Sequence, residues 1–256
     1  MSVRPARRTA ACLFTVGALV MASGCLGSSL GRRARPASPA SAAGQLSPSA
    51  AALTEAQARS ALITQADMGG PWGPTAGAAT WRDGWLKATT QTPECQRLLD
   101  ALYADELLGQ PSGTHAVTAL DDGDDQAQLR YQVVGGRRAD LDRTLDWLKA
   151  LPQTCGQFTA ATTSAGLQAV QVLGAELPPV GDARQGLRVT LTGQATTNDG
   201  QAAVLTLDVA VVRVGDDAIV LTDGALGTPP ASTVRQALEL GAQRLTQVHE
   251  QARAQA

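Results

Sequence analysis

The 256-residue chain carries 21 Lys and Arg against 23 Asp and Glu, a formal net charge of −2, and only 3% of its residues are aromatic. That balance argues against the basic stripe a nucleic-acid partner requires. With no H-E-x-x-H motif, no Walker loop and no nucleophile elbow in a strand-to-helix setting, the sequence shows no signature of a zinc protease, a nucleotidase or an α/β-hydrolase.

The first element is a leader. Arg4, Arg7 and Arg8 precede a short apolar run, Thr9 to Met21, and Ala22-Ser23-Gly24 are small residues of the kind found before a cleavage site. The run is too short to span a hydrocarbon core of about 30 Å. Cys25 follows directly, so the stretch resembles a bacterial lipobox, with Ala22 where an aliphatic residue is usual. The resemblance implies residues 1–24 as a lipoprotein signal peptide and Cys25 as the lipidated first residue of the mature chain. Cleavage after Gly24 removes three arginines and no acid, leaving 18 basic against 23 acidic side chains.

Residues 25–52 are then a Ser-, Ala-, Pro- and Gly-rich tether that cannot bury enough apolar surface to order itself. Its Arg32, Arg33 and Arg35 either touch anionic headgroups or are simply solvated. Residues 53–256 form the domain.

Within the domain, Thr54-Glu55-Ala56-Gln57 is a capping box, and the spacing predicts a helix to about Gln65. Gly69-Gly70-Pro71 ends it. Trp72, Trp81 and Trp85 follow in an irregular stretch, where they either line a ligand cleft or fill a core poor in Phe and Tyr. Pro93 opens a second helix reaching Gly109, and a third runs from about Arg138 to Leu151, with Pro152 ending it. Strands are predicted at His115–Leu120, Gln128–Val134, Leu167–Leu173, Leu187–Ala195, Ala203–Val214 and Ala218–Thr222. The last three are joined at Asn198-Asp199-Gly200 and Gly215-Asp216, which tolerate the positive φ of tight hairpins. A final helix starts near Thr233. Asp121–Asp125 has the oxygen ligands Ca²⁺ prefers, but not the order of an EF-hand loop, and reads first as a hairpin turn. The expected class is α+β: a twisted antiparallel sheet flanked by helices in one compact domain, with the helices on one side.

Cysteine usage narrows the chemistry. With Cys12 in the leader and Cys25 taken by lipid, Cys95 and Cys155 remain as an even pair in an oxidising compartment, and a disulfide is expected. Neither has partners at metal-ligand spacing, so no metal and no cofactor is expected. His115 and His249, the chain's two histidines, offer little support for a hydrolytic triad. In the strand Ala203–Val214, Leu205, Leu207, Val209 and Val211 face one way, and Thr206 and Asp208 the other. An open face there would make Thr206 and Asp208 a mixed lining for a ligand. A covered face would require a partner for Asp208 such as Arg188 or Arg213.

The stretches "LITQADMGGPWG", "TPECQRLLDALYA", "LPQTC", "LPPVGDARQG" and "VVRVGDDAIVLT" together resemble the PknH-like extracellular sensor domain family, over about residues 53–252. That family includes the outer domain of a mycobacterial receptor kinase and free-standing actinobacterial lipoproteins. The resemblance implies a twisted antiparallel sheet with flanking helices and a V-shaped cleft for a ligand. Family members commonly have two disulfides, and this chain has cysteines for one.

The functional expectation is a cell-membrane-anchored, extracytoplasmic, non-enzymatic ligand-binding or sensor module. Its partners would be the membrane through Cys25, a small-molecule or cell-envelope ligand and a membrane signalling protein. The rivals are a lipid or small-molecule carrier with an internal cavity, and an unrecognised hydrolase.

Overall fold

A computed structural model describes residues 52–124, 126–164, 166–195 and 202–255. Cys25, the arginines of the tether and the Asn198–Gly200 turn lie outside them. In chain order the elements are α1 (Glu55–Ser60), α2 (Gln65–Met68), β1 (Trp72–Pro74), α3 (Arg82–Trp85), α4 (Pro93–Ala104), β2 (His115–Asp122), β3 (Ala127–Gly135) and α5 (Arg138–Thr154). Then follow β4 (Gln157–Thr162), β5 (Gly166–Ala175), β6 (Ala183–Ala195), β7 (Ala202–Val214), β8 (Asp217–Leu226) and α6 (Ala231–Gln255).

The strands form one antiparallel sheet in the order β1-β2-β3-β8-β7-β6-β5-β4. Strands β6, β7 and β8 and the pair β2–β3 are neighbours in both sequence and space. Strand β3 reaches across to β8 and brings the two halves together.

Helices cover both faces of the sheet, which corrects the expectation of a one-sided layer. On one face α1, α2 and α6 pack over β3, β8 and part of β7, in a core holding Ile63, Tyr131, Leu221, Leu238 and Leu245. On the other, α4 and α5 pack over β5 to β8, in a core holding Leu98, Leu148, Val189, Leu205 and Leu207. The stripes Leu98, Leu99 and Leu102 on α4, and Leu141, Leu145, Leu148 and Leu151 on α5, are the buried faces of those helices. β7 lies between the layers, and Leu205 to Val214 are buried along their whole length.

Local signals act where they were read. Thr54 and Gln57 form the reciprocal capping box of α1. Pro93 sits in the first turn of α4, where its missing N–H costs nothing. That helix stops at Ala104, short of Gly109, because Asp105 takes a left-handed conformation (φ 58°). α5 continues through Pro152 to Thr154, since a proline in the last turn removes only one late hydrogen bond. Two strands had no sequence signal. β1 is three residues inside a Gly/Pro stretch, and β4 begins two residues after Cys155.

Cys95 and Cys155 form a disulfide, with Cα atoms 5.6 Å apart and a separation of 60 in sequence. It pins the first turn of α4 to the end of α5. Both cysteines are buried.

Candidate functional site

A groove of about 1610 Å³ opens where several separate parts of the chain meet. The loop after α4, Leu108 to Thr114, forms one wall. The junction of β3 and α5, Val134 to Arg138, forms the floor. The β7–β8 turn, Gly215 to Asp217, and the last turns of α6, with His249, Ala252 and Arg253, close the far side. Ala52 and Leu53, where the domain begins, also line it.

The floor is held by backbone bonds. Gly135 N–H donates to the Thr114 carbonyl (2.7 Å), and Gly136 N–H donates to the Asp216 carbonyl (3.1 Å). Two glycines suit this junction sterically. A β-carbon on Gly135 would lie 3.3 Å from an Asp217 carboxylate oxygen, and one on Gly136 would lie 3.2 Å from the Leu141 side chain. Arg213 fixes the neighbouring turn from behind. Buried at the end of β7, it donates to Asp142 of α5 (2.8 Å), to Asp182 (3.3 Å) and to the Gly215 carbonyl (3.1 Å).

Charge sets the groove apart from the rest of the chain. Arg97, Arg137, Arg138, Arg143 and Arg253 line it against Asp140, Asp216 and Asp217, an excess of cations on a net acidic protein. Arg137 and Arg143 are both committed to Asp140. The nearest carboxylate to Arg138 is Asp182, at 3.9 Å. The Arg97 guanidinium stacks 4.0 Å above the Trp147 ring.

The α5 N-terminus faces the same place. Its cap residue is Arg137, whose side chain makes no capping bond, although the positive end of a helix dipole favours an acid there.

On the opposite wall His249 Nε2 is 2.7 Å from an Asp217 carboxylate oxygen. Among the described residues no side-chain hydroxyl or thiol is bonded to His249.

The residues singled out from the sequence lie elsewhere. Trp72 is buried in the α6-side core, and Trp81 in the α5-side core, where its Nε1–H donates to the Gln126 carbonyl (3.2 Å). Trp85 is partly buried, its ring closing over Gly193. Thr206 and Asp208 are buried, at 3% and 6% exposure, so the open face expected above them is corrected. The physical reason is the alternative posed by the sequence: Arg188 of β6 lies directly opposite Asp208, and its Nε and Nη2 donate to the two carboxylate oxygens at 2.7 Å each. That bidentate bond pushes the Arg188 pKa up.

On the other side, Asp208 pairs in register with Asp223 of β8. Asp223 is fully buried with both carboxylate oxygens unpartnered. Burial above all, then the charges of Asp208 and Asp122, push its pKa up to about 8.

In the Asp121–Asp125 turn, Asp121 accepts from the Ala76 N–H and the Gln128 amide, and Asp122 accepts from the Asp124 N–H. Asp125 lies outside the described residues. Among those described, no three His, Cys, Asp or Glu side chains are arranged to hold a metal ion, and no helix is long and apolar enough to cross a membrane.

Sequence reasoning missed the groove's arginines. The available signal was "GGRR", Gly135 to Arg138, two glycines and two arginines at a strand-to-helix junction.

No protein-family model matches the chain, and no curated protein does. Among solved structures it is similar to the extracellular domain of PknH from Mycobacterium tuberculosis, at 14% identity and a TM-score of 0.49. The match covers 78% of this chain and 99% of that one.

Proposed function

We propose that this chain is a non-enzymatic ligand-binding or sensor module, held at the extracytoplasmic face of a membrane by a lipid on Cys25, and that its ligand enters the arginine-lined groove. The observation that carries the reading is the groove itself. It is large enough for a small molecule and is lined by loops as well as by residues of α4, α5 and α6. Its arginines outnumber its carboxylates. The leader and tether supply the location: a lipobox-like Cys25 and a Ser/Ala/Pro/Gly-rich spacer. A sensor output would pass through a membrane signalling partner.

Native mass spectrometry of the chain purified from its own host tests the reading. A co-purifying small molecule, lost when groove arginines are replaced, is the expected result. Ligand-free protein that also fails to take up any component of a host envelope extract would overturn it.

A further inference from the structure

Resting on the reading of the groove as a ligand site, we propose that its ligand is phosphate-bearing: a free phosphate ester or the phosphate of a lipid headgroup. Three guanidiniums carry the argument. Among the described residues, Arg97 and Arg253 have no carboxylate within ion-pair distance, and Arg138 has only Asp182, at 3.9 Å. Arg138 is also more than half exposed. Arginines without a close carboxylate partner, lining one groove, leave it a positive field that an anion would neutralise. A planar guanidinium fork matches phosphate oxygens two at a time. A phosphate monoester brings about −1.5 to −2 charges, enough to answer several such forks at once.

The backbone is arranged in the same sense. The N-terminus of α5 opens on the groove with Arg137 at its cap and Arg138 in its first position; the one acid of that turn, Asp140, is already engaged by Arg137 and Arg143, so the positive end of the helix dipole and Arg138 are left to face the groove. Gly135 and Gly136, immediately before it, carry no side chain to shield those amides from a ligand.

The chain's own tether is a poor occupant. Residues 26–51 contain Arg32, Arg33 and Arg35 and no acid, so they carry the same sign as the groove. Yet the tether joins the domain at the groove, since Ala52 and Leu53 line it. The 26 residues between Cys25 and Ala52 reach at most about 90 Å when fully extended. A headgroup at the anchoring membrane and a free ester near it are both within range.

The test uses the full chain carrying Cys25→Ser, so that no lipid anchors it. Backbone amide shifts are followed while inorganic phosphate and glycerol 3-phosphate are added. Separately, the chain is sedimented with vesicles of phosphatidylglycerol and phosphatidylcholine, or of phosphatidylcholine alone. The expected result is saturable shifts at Gly135, Gly136, Arg138 and Ala139, or binding to phosphatidylglycerol vesicles. Either response should weaken tenfold or more in Arg138→Gln/Arg253→Gln, which keeps the basic tether. Arg97→Gln serves as a second variant.

Saturable shifts with soluble phosphate identify a free ester, and vesicle binding without them identifies a headgroup. No response to either probe, or equal binding by both variants and the parent, overturns the proposal. The two readings fail separately. An uncharged ligand found in the groove by mass spectrometry would sink the phosphate chemistry alone, whereas no ligand by any method would sink both.

Discussion

Replacing Asp223 by Asn removes one ionisable group from the middle of the sheet while nearly preserving its shape. Asp223 is shut off from water and feels the charges of Asp208 and Asp122. Asp208 pairs with it across β7–β8, and neither of its own oxygens has a hydrogen-bond partner. Its folded-state pKa rises to about 8, from an ordinary value near 3.8. The folded protein therefore holds a proton that the unfolded chain gives up. The stability this contributes is complete below about pH 4 and is lost as the pH climbs toward 8. Each pH unit in that window costs about 1.4 kcal/mol, so the loss between pH 5 and 7.5 is roughly 3 kcal/mol. That is a large share of the 5–15 kcal/mol typical of a domain.

The window is free of the opposite effect from Asp67. The Arg244 guanidinium bonded to that carboxyl holds its pKa below 3.8, so its contribution is lost only at lower pH. Urea unfolding at half-unit steps from pH 5 to 8, on the parent and on Asp223→Asn, measures the difference directly. The parent's stability should fall relative to the variant by roughly 3 kcal/mol across the range. Parallel curves would refute the reasoning, and would mean that Asp223 ionises as an ordinary carboxyl does or has a partner in solution.

Cys25→Ser should release the protein into the medium or leave it as an uncleaved precursor; a mature N-terminus still in the membrane fraction would rule out the lipid anchor. Alkylation without reductant should add no label to Cys95 or Cys155 by intact mass. Removing that bridge, which closes a 60-residue separation, should cost on the order of 2–5 kcal/mol in denaturant unfolding. Gly241→Val should unfold the protein at markedly lower denaturant than the parent, by at least about 2 kcal/mol. Any β-carbon at Gly241 would sit 2.0 Å from the hydroxyl of the buried Tyr131, and an unchanged midpoint would show that α6 can shift outward.

Several features were legible without coordinates because they are local. Helical spacing of Leu141, Leu145, Leu148 and Leu151 places α5, since an apolar stripe has only one way to be buried. Alternation in Leu205 to Val211 identifies β7, and counting cysteines yields the disulfide. An even pair in an oxidising compartment leaves little else to consider. Thr54 and Gln57 mark the start of α1 because a capping box is a contact between residues three apart.

The tertiary structure alone decided which faces are covered. A strand with Thr206 and Asp208 on one side reads the same whether that side meets water or protein, because alternation records two faces and not what lies over them. The pairing of Arg188 with Asp208, and the isolation of Asp223 beside it, follow from register between strands, which no single strand encodes. The groove is further still from the sequence. Arg97, Arg138 and Arg253 stand in three different helices, and each alone looks like a solvated surface charge. They line one groove only because the packing of the helices on the sheet brings them around it. Short-range periodicity encodes the burial of a single element, whereas a binding surface is a sum over elements whose juxtaposition depends on long-range packing.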